Sequence, residues 1–108
     1  TLVQGVIVVN REFAQKYPDA VKTFLEEYTA SVEYVNASPA EAAVMIEAAG
    51  IIPKAAVAQK AIPTSNICLI TGEEMKTTLI ALYEVLFAAN PASIGGALPA
   101  DDFYYLGK

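Results

Sequence analysis

The apolar positions of the chain begin as an unbroken run and then follow a helical period. Residues 2–9, LVQGVIVV, are rich in β-branched side chains and are apolar on both sides. β-Branched residues favour strands, and a strand that is apolar on both faces is typical of a buried place in a parallel sheet. The pattern therefore predicts a strand over residues 2–9. Only one further short strand is predicted, over residues 66–70, so we expect the partners of the first strand to lie outside this chain.

Spacings of three and four residues between apolar positions predict that most of the remaining chain is helical. A short helix is expected over Arg11–Lys16, with Asn10 as its N-terminal cap. Longer helices are expected over residues 18–36, 39–49, 53–62 and 72–89. The fold class predicted for the chain is thus mainly α with one or two short strands, an α+β fragment.

The ends of the predicted helices carry start and stop signals. The segments SPAE, residues 38–41, and TGEE, residues 71–74, each fit a capping box, in which a Ser or Thr caps the helix and a Glu reaches back. Gly50 can take the left-handed conformation that ends many helices. These signals set the predicted boundaries.

Aromatic residues occur both on the helical stripes and outside them. The stripe of the helix over 18–36 is expected to consist of Val21, Leu25, Tyr28, Val32 and Val35, with Phe24 beside them. Tyr28 and Tyr83 fall on such stripes, so a structural role is predicted for both. Tyr104 and Tyr105 lie in the tail segment DFYYL, outside any periodic stretch. We expect them to dock the tail on the body of the protein, with a place in a binding cleft as the alternative.

Composition and charge narrow the classes of partner. The chain has 108 residues, 55% of them hydrophobic and 18% charged, so we expect a single domain over residues 1–108 that buries an interface with something else. The net charge is −5 and the basic residues are scattered. Binding to nucleic acid or to an anionic membrane surface is therefore not expected, because both need concentrated positive charge. No stretch is long and apolar enough to be predicted to insert into a membrane.

The residue types that carry most catalytic chemistry are scarce. The chain contains no His and one cysteine, Cys68, which excludes an internal disulfide and most metal sites and catalytic triads. Cys68 lies in the apolar segment NICLI, where a buried position is expected. The acidic pair Asp101 and Asp102 and the other paired acids are expected to be solvated or to cap helices. We predict no enzymatic activity, no cofactor and no metal site.

Several segments in a fixed order resemble one protein family. VVN at Val8–Asn10 leads into EFA at Glu12–Ala14, a Pro-initiated helix begins at Pro18, and NASPAEAA follows at Asn36–Ala43. ITGEEM and NPASIGGALPADDFYY follow later in the chain. Together these segments resemble the C-terminal portion of the solute-binding proteins of ABC importers, of the nitrate-, sulfonate- and taurine-binding kind. The resemblance extends over nearly the whole chain.

The resemblance implies a type 2 periplasmic-binding-protein fold, in which a hinge joins two α/β lobes and the ligand lies in the cleft between them. The chain would form the return portion of such a protein, whose function is to capture a small organic or inorganic solute and deliver it to the ABC permease. The implied location is extracytoplasmic, in the periplasm or as a lipoprotein, with the signal sequence outside this chain. The strand over residues 2–9 would then pair with a missing N-terminal portion, or with a second copy of the chain.

Four residues are candidates for ligand contact. Gln4 and Gly5 lie near the start of the predicted strand, and Ser65 and Asn66 lie in a polar loop. For each of them a turn or cap is the alternative role, and the chemical class of the ligand stays open among organic anions, sulfonates and pyrimidine precursors. The family also resembles enzymes that make the thiamine pyrimidine, but those need His, which this chain lacks. The alternative function is a free-standing helical interaction module that binds no ligand.

Overall fold

The protein is described by a computed structural model that covers residues 2–107. Within these residues the α-helices are α1 (Arg11–Lys16), α2 (Pro18–Ala37), α3 (Pro39–Ala48), α4 (Ala55–Ala61) and α5 (Gly72–Ala89). Short 3₁₀ helices cover Ile62–Thr64, Pro91–Ile94 and Asp101–Phe103.

The described chain divides into two compact units. One unit is Asp19–Leu69, and the other combines the described residues of Thr1–Pro18 and Ile70–Lys108. We refer to them as the central unit and the terminal unit. The prediction of one domain over residues 1–108 stays a prediction, and its two end residues lie outside the described part of the chain.

The prediction of a mainly helical fold is confirmed, and the bounds of α1 and α5 are those read from the sequence. The helix expected over 53–62 begins two residues later, at Ala55. The residue before the helix, Lys54, provides no side-chain cap. Instead, the carboxylate of Glu47, on α3, accepts a hydrogen bond from the backbone N–H of Ala55. A cap supplied from another helix leaves no local signal in the sequence.

The predicted short strands are wrong for the chain as the structure has it. Neither residues 2–9 nor residues 66–70 form a strand, and no other strand occurs between residues 2 and 107. A strand exists only through the ladder of hydrogen bonds to a neighbour. Neither segment finds such a neighbour within the described residues, so β-branched side chains alone do not produce the element. That the partner of residues 2–9 lies outside this chain stays a prediction.

The core of the central unit lies where α3 packs against α4. Ala42 and Ala43 of α3 are buried with Ala58 of α4 and with Ile62. Alanine side chains at this contact let the two helix backbones approach closely. Partly buried hydrophobic side chains surround this cluster: Val35, Ile46, Ile52, Ala55 and Ile67. The side-chain amide of Asn36 also donates to the carbonyl of Ile67 over 2.8 Å and ties the following loop to α2.

The predicted stripe of α2 is only partly turned inward. Val21 is buried, and Leu25, Val32 and Val35 are half-buried. The two aromatic members, Phe24 and Tyr28, are exposed, which corrects the structural role predicted for Tyr28. The aliphatic side of the stripe thus faces the unit, while its aromatic side stays uncovered.

The side-chain cap predicted at the start of α1 is confirmed, and those predicted at the starts of α3 and α5 are wrong. The Asn10 side chain accepts a hydrogen bond from the N–H of Phe13, over 3.1 Å, at the start of α1. Ser38 and Thr71 precede α3 and α5 as expected, but neither side chain makes a capping hydrogen bond. At Ser38 the backbone dihedrals, φ −130° and ψ 59°, lie outside the extended region of a capping residue.

The C-terminal end of α3 is closed by Gly50 in the left-handed conformation, with φ 73°. Its N–H donates to the carbonyl of Glu47 over 2.9 Å, and the N–H of Ile51 donates to the carbonyl of Ile46 over 3.1 Å. This pair of bonds is the Schellman motif.

Replacing Gly50 with Ala is expected to lower the free energy of unfolding of the central unit by about 1 kcal/mol. A Cβ there would meet no atom within 4 Å, so the whole cost is the left-handed backbone. Urea denaturation followed by circular dichroism measures the change. Gly5→Ala is the matched control, since a Cβ at Gly5 is equally free of contacts and Gly5 is not among the residues of positive φ. An equal loss in both variants would contradict the explanation.

Candidate functional site

The central unit contains a groove between α2 and α3 with a volume of about 500 Å³. It is lined from α2 by Ala30, Ser31, Tyr34 and Val35, and from α3 and the turn after it by Ala42, Met45, Ile46, Ala49 and Ile51. We refer to it as the α2–α3 groove.

The depth of the α2–α3 groove follows from the sizes of the side chains along it. The small side chain of Ala42 is buried at its base. Tyr34, Met45 and Ile51 are all exposed and stand around it. The Schellman turn at Gly50 brings Ile51 back beside Ile46 and closes this end of the groove. A short residue between longer neighbours therefore produces the concave surface.

The chemistry of the α2–α3 groove is almost wholly apolar. Its lining side chains carry two polar groups, the hydroxyls of Ser31 and Tyr34. None of the lining residues is Lys, Arg, Asp or Glu, so the groove offers no charge to pair with an ionic ligand. Met45 has an unbranched and flexible thioether side chain that can adapt to different apolar shapes. The groove can bury apolar surface, and it holds no acid or base for catalysis.

The four predicted ligand residues do not line this groove. Gln4 and Gly5 are exposed in the terminal unit, within a segment that has no regular secondary structure. Ser65 and Asn66 are adjacent and exposed in the central unit, directly after the 3₁₀ helix Ile62–Thr64. The Ser65 hydroxyl donates to the carbonyl of Ala61 over 2.7 Å, and Asn66 has a positive φ of 51°. Both residues thus form a turn, and ligand contact by any of the four stays a prediction.

Sequence reasoning missed the α2–α3 groove, although one signal for it was present. The segment AAVMI, residues 42–46, is apolar on every side of α3. Its alanines face α4, which leaves Val44 and Met45 exposed. A helical segment that is apolar on every side leaves part of its apolar surface uncovered unless neighbours pack on all of those sides.

In the terminal unit, the aromatic tail docks as its sequence suggests. Tyr104 is only 7% exposed, and its ring meets the ring of Phe103 edge to face, with centroids 5.4 Å apart. Phe103 in turn meets Tyr83 of α5, with centroids 6.5 Å apart. The ammonium of Lys76 lies 5.9 Å from the centre of the Tyr104 ring. Burial, and next the proximity of Tyr83, raise the pKa of the Tyr104 hydroxyl above its ordinary value.

The acidic pair beside this tail is exposed and ion-paired. Arg11 of α1 binds the carboxylate of Asp102 over 2.8 Å and its carbonyl over 3.3 Å. Lys76 of α5 binds the carboxylate of Asp101 over 3.1 Å. Two neighbouring acids thus hold cations from two different helices. Exposed ion pairs add little stability singly, so their role here is to orient the tail between α1 and α5.

Other chemical features of the described residues are few. Cys68 is exposed, which corrects the buried position expected for it. In the segment after the turn at Asn66, the neighbours Ile67, Leu69 and Ile70 are half-buried. No group of three His, Cys, Asp or Glu side chains in residues 2–107 is arranged to hold a metal ion. Across the same residues, none of the helices has both the length and the hydropathy needed to cross a membrane.

Comparisons with protein-family models, with curated proteins and with solved structures find no match to this chain. The resemblance to solute-binding proteins therefore stays a prediction from the segments quoted above.

Proposed function

We propose that this chain is part of the substrate-binding component of an ABC importer, which captures a small solute outside the membrane for delivery to the permease. The observation that carries the proposal is the order of the family-like segments and of the helices they form. Asn10 of VVN caps α1, which contains EFA, and Pro18 begins α2. Ser38 precedes α3, which contains PAEAA. The three helical segments support the proposal because each lies in a helix, as the resemblance implies, whereas VVN, expected at the end of a strand, lies in a segment without regular secondary structure.

The uncovered apolar surface of the opening segment also supports the proposal. The side chains of Val6, Ile7, Val8 and Val9 are exposed. A second α/β lobe with a sheet would cover such a segment with neighbouring strands.

In this proposal the candidate ligand contacts remain Gln4, Gly5, Ser65 and Asn66. The solute is an organic anion, a sulfonate, nitrate or a pyrimidine precursor.

The test is titration calorimetry on the protein encoded by the full open reading frame that contains these residues. The solutes are nitrate, taurine, an alkanesulfonate and a hydroxymethylpyrimidine. We expect one of them to bind with a Kd in the micromolar range, and the 108-residue chain alone to bind none of them below millimolar concentration. The reason is that a cleft between two lobes needs polar groups from both, and no such cluster converges in the described residues.

A matched pair of variants connects the binding to a predicted contact. Gln4→Ala is expected to weaken binding of the identified solute about tenfold, the loss of one hydrogen bond to a ligand. Gln59→Ala removes an exposed amide from α4 and should leave binding unchanged. Failure of the full protein to bind any of the four solutes would contradict the proposal. A micromolar isotherm from the 108-residue chain alone would contradict its dependence on a second lobe.

The alternative function, a helical interaction module without a solute, is favoured by the α2–α3 groove. Its lining is apolar and lacks the charged groups that would hold a small anion. This alternative predicts no solute binding by the full protein and no effect of Gln4→Ala on any activity. The calorimetric experiment therefore separates the two functions.

A further inference from the structure

Residues 2–9 carry an interaction surface that the described chain does not use. None of their backbone groups is bonded to another backbone group in residues 2–107. Their side chains are also uncovered: Ile7 is 48% exposed and Val8 is 80% exposed. The segment therefore presents unpaired donors and acceptors next to large apolar side chains.

The segment lacks the features by which proteins keep such backbone from pairing with other chains. In natural proteins, the edge strands of sheets are protected from pairing with other chains by charged side chains, above all Lys, and by Pro. Residues 2–9 contain no charged residue and no Pro, and four β-branched residues follow one another from Val6 to Val9. Short windows of high β-propensity without charge or Pro are those that pair with identical copies.

The end of the segment is fixed in the terminal unit. The Asn10 side chain caps α1, and Arg11 is ion-paired with Asp102. The segment thus leaves the unit from a defined point, which lowers the entropy lost when it pairs. The charge of Arg11 is already matched, and the net charge of −5 is carried outside the segment. Two copies can therefore bring these segments together without placing like charges opposite one another.

We propose that residues 3–9 pair with the same residues of a second copy, as antiparallel strands related by a two-fold axis. A register centred on Val6 places Val3 opposite Val9. The same register places Gln4 opposite Val8, and Gly5 opposite Ile7. This pairing satisfies the backbone groups that face the partner strand and forms cross-strand contacts between β-branched side chains. The inference does not rest on the proposed function: it concerns the 108-residue chain, whose described residues leave the segment uncovered, and a second lobe would compete with the second copy for the same segment.

The first test is sedimentation of the 108-residue chain over a range of concentrations. We expect a concentration-dependent dimer, and we expect Ile7→Lys to weaken it roughly tenfold or more, because a charge enters each strand beside its partner. Val85→Lys is the matched control, since Val85 is 66% exposed on α5 and outside the segment. Circular dichroism should show the same helical content in both variants, because Ile7 lies in no helix and in no buried cluster.

The second test locates the contact directly. In a Cys68→Ser background, Val6→Cys should form a disulfide between copies under mild oxidation, whereas Val85→Cys should not. Hydrogen exchange should show alternate amides of residues 3–9, those that face the partner strand, protected at high protein concentration and unprotected at low concentration. A monomer at every concentration, or a dimer that Ile7→Lys leaves intact, would overturn the inference. Absence of the Val6→Cys cross-link in a confirmed dimer would overturn it as well.

Discussion

Replacing Ala58 with Lys is expected to unfold the central unit, with a loss of about 3 kcal/mol or more in its free energy of unfolding. Ala58 is 1% exposed and lies in the cluster that joins α3 to α4. A lysine at this position must either bury an ammonium group or push the two helices apart. Urea denaturation monitored by circular dichroism measures the loss.

The neighbouring position gives the control for this prediction. Gln59 is exposed on the same helix, so Gln59→Lys adds the same charge outside the cluster. Its effect should stay within about 0.5 kcal/mol, as for most surface substitutions. If the two variants are equally stable, the contact between α3 and α4 is not the core of the unit.

Replacing Tyr104 with Ala is expected to destabilise the terminal unit by about 3 kcal/mol. The buried ring contacts Phe103 and lies beside Lys76, so its removal leaves the tail attached mainly by exposed ion pairs. Hydrogen exchange of the α5 amides measures the effect, because these amides should then open more often.

Tyr104→Phe separates the ring from its hydroxyl. It keeps the aromatic contacts, and we expect less than about a third of the loss seen in the alanine variant. The matched ion-pair variant is Asp101→Asn, which removes the partner of Lys76 and should cost less than about 1 kcal/mol. A greater loss from Asp101→Asn than from Tyr104→Ala would contradict the view that the buried ring, more than the charge, holds the tail.

An element could be predicted from the sequence where the residues that determine it are its neighbours along the chain. The start of α1 could be predicted because Asn10, its cap, is adjacent to it. The end of α3 could be predicted because a single glycine carries the left-handed backbone. The start of α4 could not be predicted, since its cap is Glu47 on another helix. The strand over residues 2–9 was wrong for the described chain because a strand needs a neighbour that the residues themselves do not specify.

In the candidate site, too, only the features that depend on adjacent residues could be predicted. The positions of Ser65 and Asn66 in a polar turn could be predicted from their residue types, whereas the α2–α3 groove could not. Periodicity identifies which side of α2 is apolar, but not that Phe24 and Tyr28 stay exposed while Val21 is buried. That difference is decided by which neighbours reach each part of the helix, and it becomes visible only in three dimensions.

The bond from the Ala55 N–H to the Glu47 carboxylate has a consequence for the folding order of the central unit. At seven residues, α4 is too short to persist alone in water. Its first turn is completed only when α3 holds Glu47 in place, and its buried face packs on Ala42 and Ala43 of α3. The nucleation barrier of α4 is therefore lowered by α3. Since α3, at ten residues, is also too short to persist alone, the two helices should form together in a single cooperative step.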